Sequence, residues 1–322
     1  MPKGYTHLTK VQRYQISALD KRNIPPSEIA GTIGVHRSTV YRELKRSITS
    51  KGQVYSPSRA HKDYCLKRQN SGGKSKIDGP IKAYILAKLA QNWSPEQIAG
   101  RIKIDSPDLS IHHETIYRYI GKNRKNGGNL YRNLLYSGKK YAKRGSKTQK
   151  RSLIPGRIDI SQRPQIVEEK TRIGDWEGDL IIGASGSGAL ATLVDRASKY
   201  VRIGFIPSKK AYDVRCKIQD MMADIKDKIL TITFDNDTEF SDHAAIQSAL
   251  GTDIYFATPY HSWERGLNEH TNGLIRKFFP KKLPFQDTSD QNIQCVQNAL
   301  NNRPRKVLNF KTPNEVFFSN TS

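Results

Sequence analysis

The chain has 322 residues, 36% of them hydrophobic, and a mean hydropathy of −0.67, which suits a globular protein of two or three domains. No run of about 18 apolar residues interrupts it, which excludes a membrane-spanning helix, and no apolar leader is present, so the expected location is the cytoplasm and, when bound to DNA, the nucleoid. The formal charge of +24 is concentrated at one end: residues 1–150 hold 31 Lys and Arg against 9 Asp and Glu, a net +22, while residues 151–322 carry only +2. A basic region of that size points to a polyanionic partner, most simply nucleic acid. Cys65, Cys216 and Cys295 are too scattered for a disulfide framework or a metal-binding pair.

Taken in chain order, residues 1–50 predict a helix-turn-helix domain. Thr9 caps a helix reaching about Asp20, Pro25, Pro26 and Ser27 open a second helix that Gly34 ends, and Arg37 or Ser38 opens a third that runs to about Arg46. Ile29, Ile33, Val35, Val40 and Leu44 supply its apolar side. Ala30, Gly34 and Val40 stand at the small, turn and core positions of such a unit. The last helix then offers His36, Arg37, Ser38, Thr39, Tyr41, Arg42, Lys45 and Arg46 to a major groove. A plain three-helix bundle with a basic surface has the same pattern.

Residues 51–79 are polar and basic and read as a linker. A second helical domain is expected over 80–125. Ser94-Pro95-Glu96-Gln97 has the form of a capping box, and a short helix follows from His113 to Ile120, with His112 and His113 at its start. This block resembles a second helix-turn-helix, presenting His113, Thr115 and Arg118, although a purely structural helical domain fits equally well. Residues 126–170, with the basic run from Lys139 to Arg151, read as a second linker, either a DNA-following arm or a solvated tether.

From about 171 to 322 the texture becomes α/β. Strands are expected over Trp176–Ile182, Ala189–Val194, Tyr200–Ile206, Leu230–Phe234 and Asp253–Phe256. Helices are expected over Ala211–Ile225, from a Ser241 cap through Leu250, and over Gly266–Phe278, with one or two more between 290 and 318. That order implies a mixed sheet. Asp179 lies inside the first strand, where a carboxylate needs a partner or a metal. Asp235 ends a short apolar strand, where α/β domains place their sites. Glu269 sits near the start of a helix. Three oxygen ligands suit Mg²⁺ or Mn²⁺, and two such ions can carry out in-line phosphoryl displacement. Glu177 shares the Asp179 face and reads either as a group supporting the site from behind or as a rim residue, the latter slightly favoured. Arg276 returns to the Glu269 face one helical repeat later and, with Lys277, could hold a DNA phosphate; a solvated helix end fits equally well.

Trp-Glu-Gly-Asp-Leu-Ile at 176–181, Pro-Tyr-His-Ser-Trp-Glu-Arg-Gly at 259–266, Asn-Gly-Leu-Ile-Arg at 272–276, Asn-Asn-Arg-Pro-Arg at 301–305 and Ser-Thr-Val-Tyr-Arg-Glu-Leu at 38–44 carry a resemblance to bacterial transposases of the insertion sequence 30 family. It extends from about Leu8 to Phe318, and 33 residues separate Asp235 from Glu269, as in that family's acidic triad. The resemblance implies a multidomain protein: an all-α helix-turn-helix front end and a ribonuclease H-like, retroviral integrase-like catalytic domain. It further implies that Asp179, Asp235 and Glu269 bind two Mg²⁺ or Mn²⁺ ions, that the DNA partners are terminal inverted repeats and target duplex, that circular or joined-end intermediates form, and that at least a dimer acts on DNA. Asp237 stands where the family usually has Gly, and a carboxylate there is expected to perturb the turn or the metal field and to weaken activity before abolishing it; Thr258 stands where the family often has Asp, and His270 where it often has Asn; Leu267 and His112 replace small polar residues. The Asp237 departure leaves a DNA-binding regulator with an inactive core as an alternative. A ribonuclease H-like nuclease or resolvase without joining activity is another.

Overall fold

A computed structural model of the chain describes residues 7–46, 54–70, 76–135, 154–258, 266–281 and 283–319. It divides into two compact units, 1–75 and 76–322.

The first unit contains α1 (Lys10–Asp20), α2 (Pro26–Ile33), α3 (Arg37–Arg46) and α4 (Pro57–Asn70). Thr9 accepts the Gln12 N–H at 3.2 Å while its own N–H donates to the Gln12 side chain at 2.9 Å, so two of the helix's orphan donors are satisfied. Gly34 closes α2 at φ 68°, a left-handed conformation that a residue without Cβ takes without penalty. Ile16, Ile29, Ala30 and Val40 form the buried core, with Ile33, Val35 and Leu44 packed against it. Through that core runs a buried ion pair, Arg13 Nε to Glu43 Oε1 at 2.8 Å. Arg13 also donates to the Leu8 carbonyl at 2.6 Å, and the Tyr55 hydroxyl donates to Glu43 at 3.3 Å.

α4 corrects the reading of 51–79 as linker. Tyr55 and Ala60 are buried in the core of this unit, and the Tyr14 and Ser58 hydroxyls meet at 2.7 Å. The helix has no apolar stripe; it is held by one small residue, one preceding tyrosine and polar contacts, which hydrophobic periodicity does not report.

The second unit begins with α5 (Gly79–Ala90), α6 (Pro95–Asp105) and α7 (His113–Lys125). The capping box is present: Ser94 accepts the Gln97 N–H at 3.2 Å and donates its own to Gln97 at 2.9 Å. Ile85, Leu89, Trp93, Ile98, Ile102, Ile116 and Ile120 make a separate core. His112 caps α7, its Nδ1 accepting the Glu114 N–H at 3.3 Å.

The following sheet contains β1 (Asp175–Ile182), β2 (Ala189–Asp195), β3 (Val201–Ile206), β4 (Thr231–Phe234) and β5 (Asp253–Phe256), in the order β3-β2-β1-β4-β5. The first three strands are antiparallel; β4 and β5 run parallel to β1. That mixed five-stranded sheet is the ribonuclease H-like arrangement. Around it stand α8 (Ile166–Glu169), α9 (Ala211–Met222), α10 (His243–Leu250), α11 (Gly266–Phe278), α12 (Asp290–Asn301) and α13 (Pro313–Phe318). α10 begins one residue later than expected, with Asp242 and not Ser241 at its cap position.

Strand alternation sorts the core into two layers. Trp176, Ile232 and Phe234 pack with Val214 and Ile218 of α9 and Ile246 of α10. Ile181, Leu190 and Val201 pack with Leu274 and Ile275 of α11 and Ile293 and Leu300 of α12. The free edge of β3 is closed by α12: Gln297 accepts the Ile203 N–H at 2.8 Å, and Asn301 accepts the Val201 N–H at 2.8 Å and donates to its carbonyl at 2.9 Å.

The reading of 126–170 as linker is corrected for its described C-terminal part. Ile154 enters the sheet's core, Asp159 bridges to Phe256, and the Ile158 carbonyl accepts the Phe256 N–H at 2.9 Å. The basic run from Lys139 to Arg151 lies outside the described residues. The helical block is tied to the C-terminal strap by Arg101, which donates to both Glu315 oxygens at 2.7 and 2.6 Å, and by Gln97, which donates to the Pro304 carbonyl at 2.8 Å.

Candidate active site and DNA-binding surface

The register of β1 and β4 pairs Glu177 with Thr233. Two residues further along each chain, on the same face, come Asp179 and Asp235. Phe234 presses its ring so closely on the opposite face that a Cβ on Gly178 would stand 2.3 Å from it. Glycine between Glu177 and Asp179 is therefore a packing requirement. Asp235, only 6% exposed, accepts the Asp237 N–H at 3.2 Å. Its neighbour Asn236 fixes the strand exit by donating to the Ala257 carbonyl and accepting from Arg157 at 2.6 Å.

α11 lies over the Asp179 face. Asn272 donates to Asp179 Oδ2 at 2.6 Å, and Asn268 donates to the Gly178 carbonyl at 3.3 Å. Asp179 Oδ1 accepts the Leu180 N–H at 2.9 Å, and Thr192 donates to the Asp179 carbonyl at 3.1 Å. Glu269 stands between the two asparagines in sequence, in the first turn of α11, where the helix dipole favours a negative charge. Asp179 and Asp235 thus lie on one face at neighbouring strands, and Glu269 lies in the first turn of the helix that covers Asp179. Among the described residues, no three His, Cys, Asp or Glu side chains converge closely enough to hold a metal ion. The donor set itself is all oxygen, the chemistry that Mg²⁺ or Mn²⁺ takes and zinc does not favour.

Three expectations change here. Glu177 is not a rim residue. It is 2% exposed and pairs with Arg196 at 3.3 Å; Arg196 reaches Glu168 at 2.9 Å, and Arg163 joins Glu168 to Thr233. Burial pushes the Glu177 carboxyl above its ordinary range, opposed by Arg196 and Arg163. Its partner lies beyond the end of β2, out of reach of any local pattern. Arg276 donates to the Ile182 carbonyl at 2.6 Å and Lys277 to the Asn133 carbonyl, so both complete main-chain groups inside the domain. Asp237 does not distort its turn: its φ of −79° is ordinary for any residue. Trp263, Tyr260 and the rest of 259–265 lie outside the described residues.

On α3, Arg37, Tyr41, Arg42, Lys45 and Arg46 are exposed, and Ser38 and Thr39 are half-buried. Ser38 meets His36 Nδ1 at 2.8 Å, and Arg42 donates to the Ser38 carbonyl at 3.0 Å, which sets the direction of both side chains. Arg46 approaches Glu43 at 3.4 Å, linking the basic face to the buried pair beneath it. On α7, Arg118 is exposed beside Glu114 at 3.6 Å, while His113 and Thr115 are half-buried.

A helix-turn-helix unit joined to a ribonuclease H-like sheet, with one acid inside β1 and another just past the end of β4, fits a DNA-processing enzyme. A helix-turn-helix domain family matches residues 4–47. The chain is 43% identical to the transposase for insertion sequence element IS4351 of Bacteroides fragilis, over 97% of this chain and 95% of that one. It is 31% identical to transposase InsI for insertion sequence element IS30A of Escherichia coli K12, over 98% and 84% of the two chains. Among solved structures, a chain of a simian T-cell lymphotropic virus intasome in complex with PP2A regulatory subunit B56 gamma is similar at 18% identity and a TM-score of 0.41, covering 54% of this chain and 62% of that one. The chain belongs to the insertion sequence 30 family of transposases.

Proposed function

We propose that this protein cuts the ends of its own insertion element and joins the freed 3′-hydroxyls to new phosphodiesters, with Asp179, Asp235 and Glu269 as the acidic triad. The observation that carries the reading is the Asn272 clamp on Asp179, because it lays the Glu269 turn of α11 across the strand that holds Asp179. Asp179 and Asp235, with Glu269 from the helix, would hold two Mg²⁺ or Mn²⁺ ions. When bound, such ions activate a water or a 3′-hydroxyl and stabilise the leaving oxygen. The chain supplies the orientation. Asn272 and the Leu180 N–H fix both oxygens of Asp179, and the Asp237 N–H fixes one oxygen of Asp235. The exposed face of α3 would read the terminal inverted repeats, and α7 would add contacts to the duplex. Holding both ends together calls for at least a dimer on DNA.

The test uses the gene with its native flanks, incubated with the full-length protein and Mg²⁺. Sequencing should recover junctions between the two flanking repeats, and none with Asp235→Ala. Binding without new junctions would favour the regulator reading, and cut strands without joined ones would favour a nuclease.

A further inference from the structure

In the run from Asn301 to Arg305, Asn301 closes the edge of β3 and the Pro304 carbonyl accepts from Gln97. Arg303 and Arg305 line a cleft of about 930 Å³ between α6, α7 and the start of α11, together with Arg124, Lys170, Lys199 and His270. Arg303 is 4% exposed and Arg305 7%. Arg303 Nε donates to Gln97 at 2.9 Å. Arg305 has a long contact to the Leu300 carbonyl at 3.4 Å, and its Nε has no hydrogen-bond partner among the described residues. Glu96 also lines the cleft but pairs with Lys306 at 2.6 Å, and among the described residues no carboxylate pairs with either arginine: burial pushes both guanidinium groups below their ordinary range, and the charge acting on Arg305 is the like charge of Arg303. Lys199 is pushed down by its burial and then by Lys170, against the opposing charges of Asp195 and Glu177, and it donates to the Arg196 carbonyl.

Two guanidinium groups buried together with no carboxylate partner among the described residues destabilise a fold. A second cost lies in the backbone. Lys170 and Lys199 adopt φ of 56° and 62°, in the left-handed region that lysine rarely enters. Both lysines line the same cleft as the two arginines, and an anion bound there would supply the counter-charge that Arg303 and Arg305 lack. Guanidinium groups match the paired oxygens of a phosphodiester.

α11 says which anion. Gly266, Leu267, His270, Thr271 and Leu274 line the cleft, while Asn268 and Asn272 touch β1. On a helical wheel Glu269 falls between these two faces. We propose that the cleft seats backbone phosphates of the DNA strand entering the Asp179, Asp235 and Glu269 site, with Arg303 and Arg305 at its floor and Lys170 and Lys199 nearer its mouth. The proposal rests on the functional reading above and adds the path of the substrate.

The test measures the affinity of full-length protein for a labelled duplex of the gene's flanking sequence, without divalent metal, across a series of NaCl concentrations. Lys170→Gly with Lys199→Gly is the main variant, because glycine accepts both left-handed positions and the fold is retained. Affinity should fall about tenfold or more, and the slope of log affinity against log salt should lose about one for each phosphate contact removed. Arg305→Gln should act in the same direction. Unchanged affinity and slope in the double glycine variant would overturn the proposal, whether or not Arg305→Gln folds. Stabilisation by inorganic phosphate that is lost in the double variant, with DNA binding unchanged, would mark a free-anion site and overturn it as well. Glu269→Gln separates the two claims: it should bind like the wild type and fail to join. Joining by that variant counts against the triad, while the salt slopes still decide the cleft.

Discussion

Asn272→Ala is the most informative single change at the acidic site. It removes the 2.6 Å hydrogen bond to Asp179 Oδ2 and a weak 3.4 Å contact from Thr192, and leaves the three acids in place. A hydrogen bond to a charged group contributes about 1.5–3 kcal/mol. Asn272 is half-buried, so water replaces part of the bond, and the lower part of that range applies. At about 1.4 kcal/mol per factor of ten, single-turnover joining at limiting Mg²⁺ should fall roughly tenfold. Loss of such an orienting partner usually costs about 10- to 100-fold in metal affinity or activity. Saturating metal should restore part of the rate, and thermal stability should fall by about 1.5 kcal/mol. Asn272→Asp places a second carboxyl against Asp179 and should be the worse variant near neutral pH, recovering in part as pH falls and the introduced acid regains a proton to donate. If Asn272→Ala joins DNA within twofold of wild type at limiting Mg²⁺, Asn272 does not position Asp179.

In the first unit, Glu43→Ala leaves Arg13 buried and unpaired, at a cost of about 3–5 kcal/mol; calorimetry should show that unit's transition lowered by more than about 10 °C, with DNA binding lost alongside it. Gly178→Ala drives a methyl into Phe234 and should cost about 1–3 kcal/mol by denaturant unfolding; a neutral effect would mean that β1 and β4 are not packed as described. Glu315 is held down to about 2, first by its hydrogen bonds from Arg101. A depressed carboxyl gives stability that is present above its unfolded value and lost as pH falls, so the melting difference between wild type and Glu315→Gln should be full at neutral pH and vanish between roughly pH 4.5 and 2. The group is partly exposed, so the effect is at most about 1 kcal/mol.

The sequence made most of this fold legible where local rules operate. Thr9, Ser94 and Gly34 mark helix ends through hydrogen bonds reaching three or four residues, and β1 to β5 stand out as apolar runs between turns. Asp179 and Asp235 were visible because a carboxylate in or at the end of a buried strand needs a reason. What stayed hidden depends on partners distant in sequence. α4 shows no stripe because it buries little beyond Ala60, and Tyr55 precedes it. Glu177 reads as exposed until Arg196 folds back over it, and Arg276 reads as a DNA contact until the carbonyl of Ile182 is found at its tip. The phosphate cleft draws on Lys170, Lys199 and Arg303, each in a different stretch of chain, and no local pattern joins them.

The central claim is that Asp179, Asp235 and Glu269 act as one site. Its most direct test is single-turnover joining by Asp179→Ala, Asp235→Ala, Glu269→Ala and the triple variant, each confirmed to bind flanking DNA. Residues that work as a unit are non-additive, so each single variant should lose about as much as the triple, by a factor of about a thousand or more. A single variant that keeps joining near the wild-type rate would remove that residue from the triad and contradict the account.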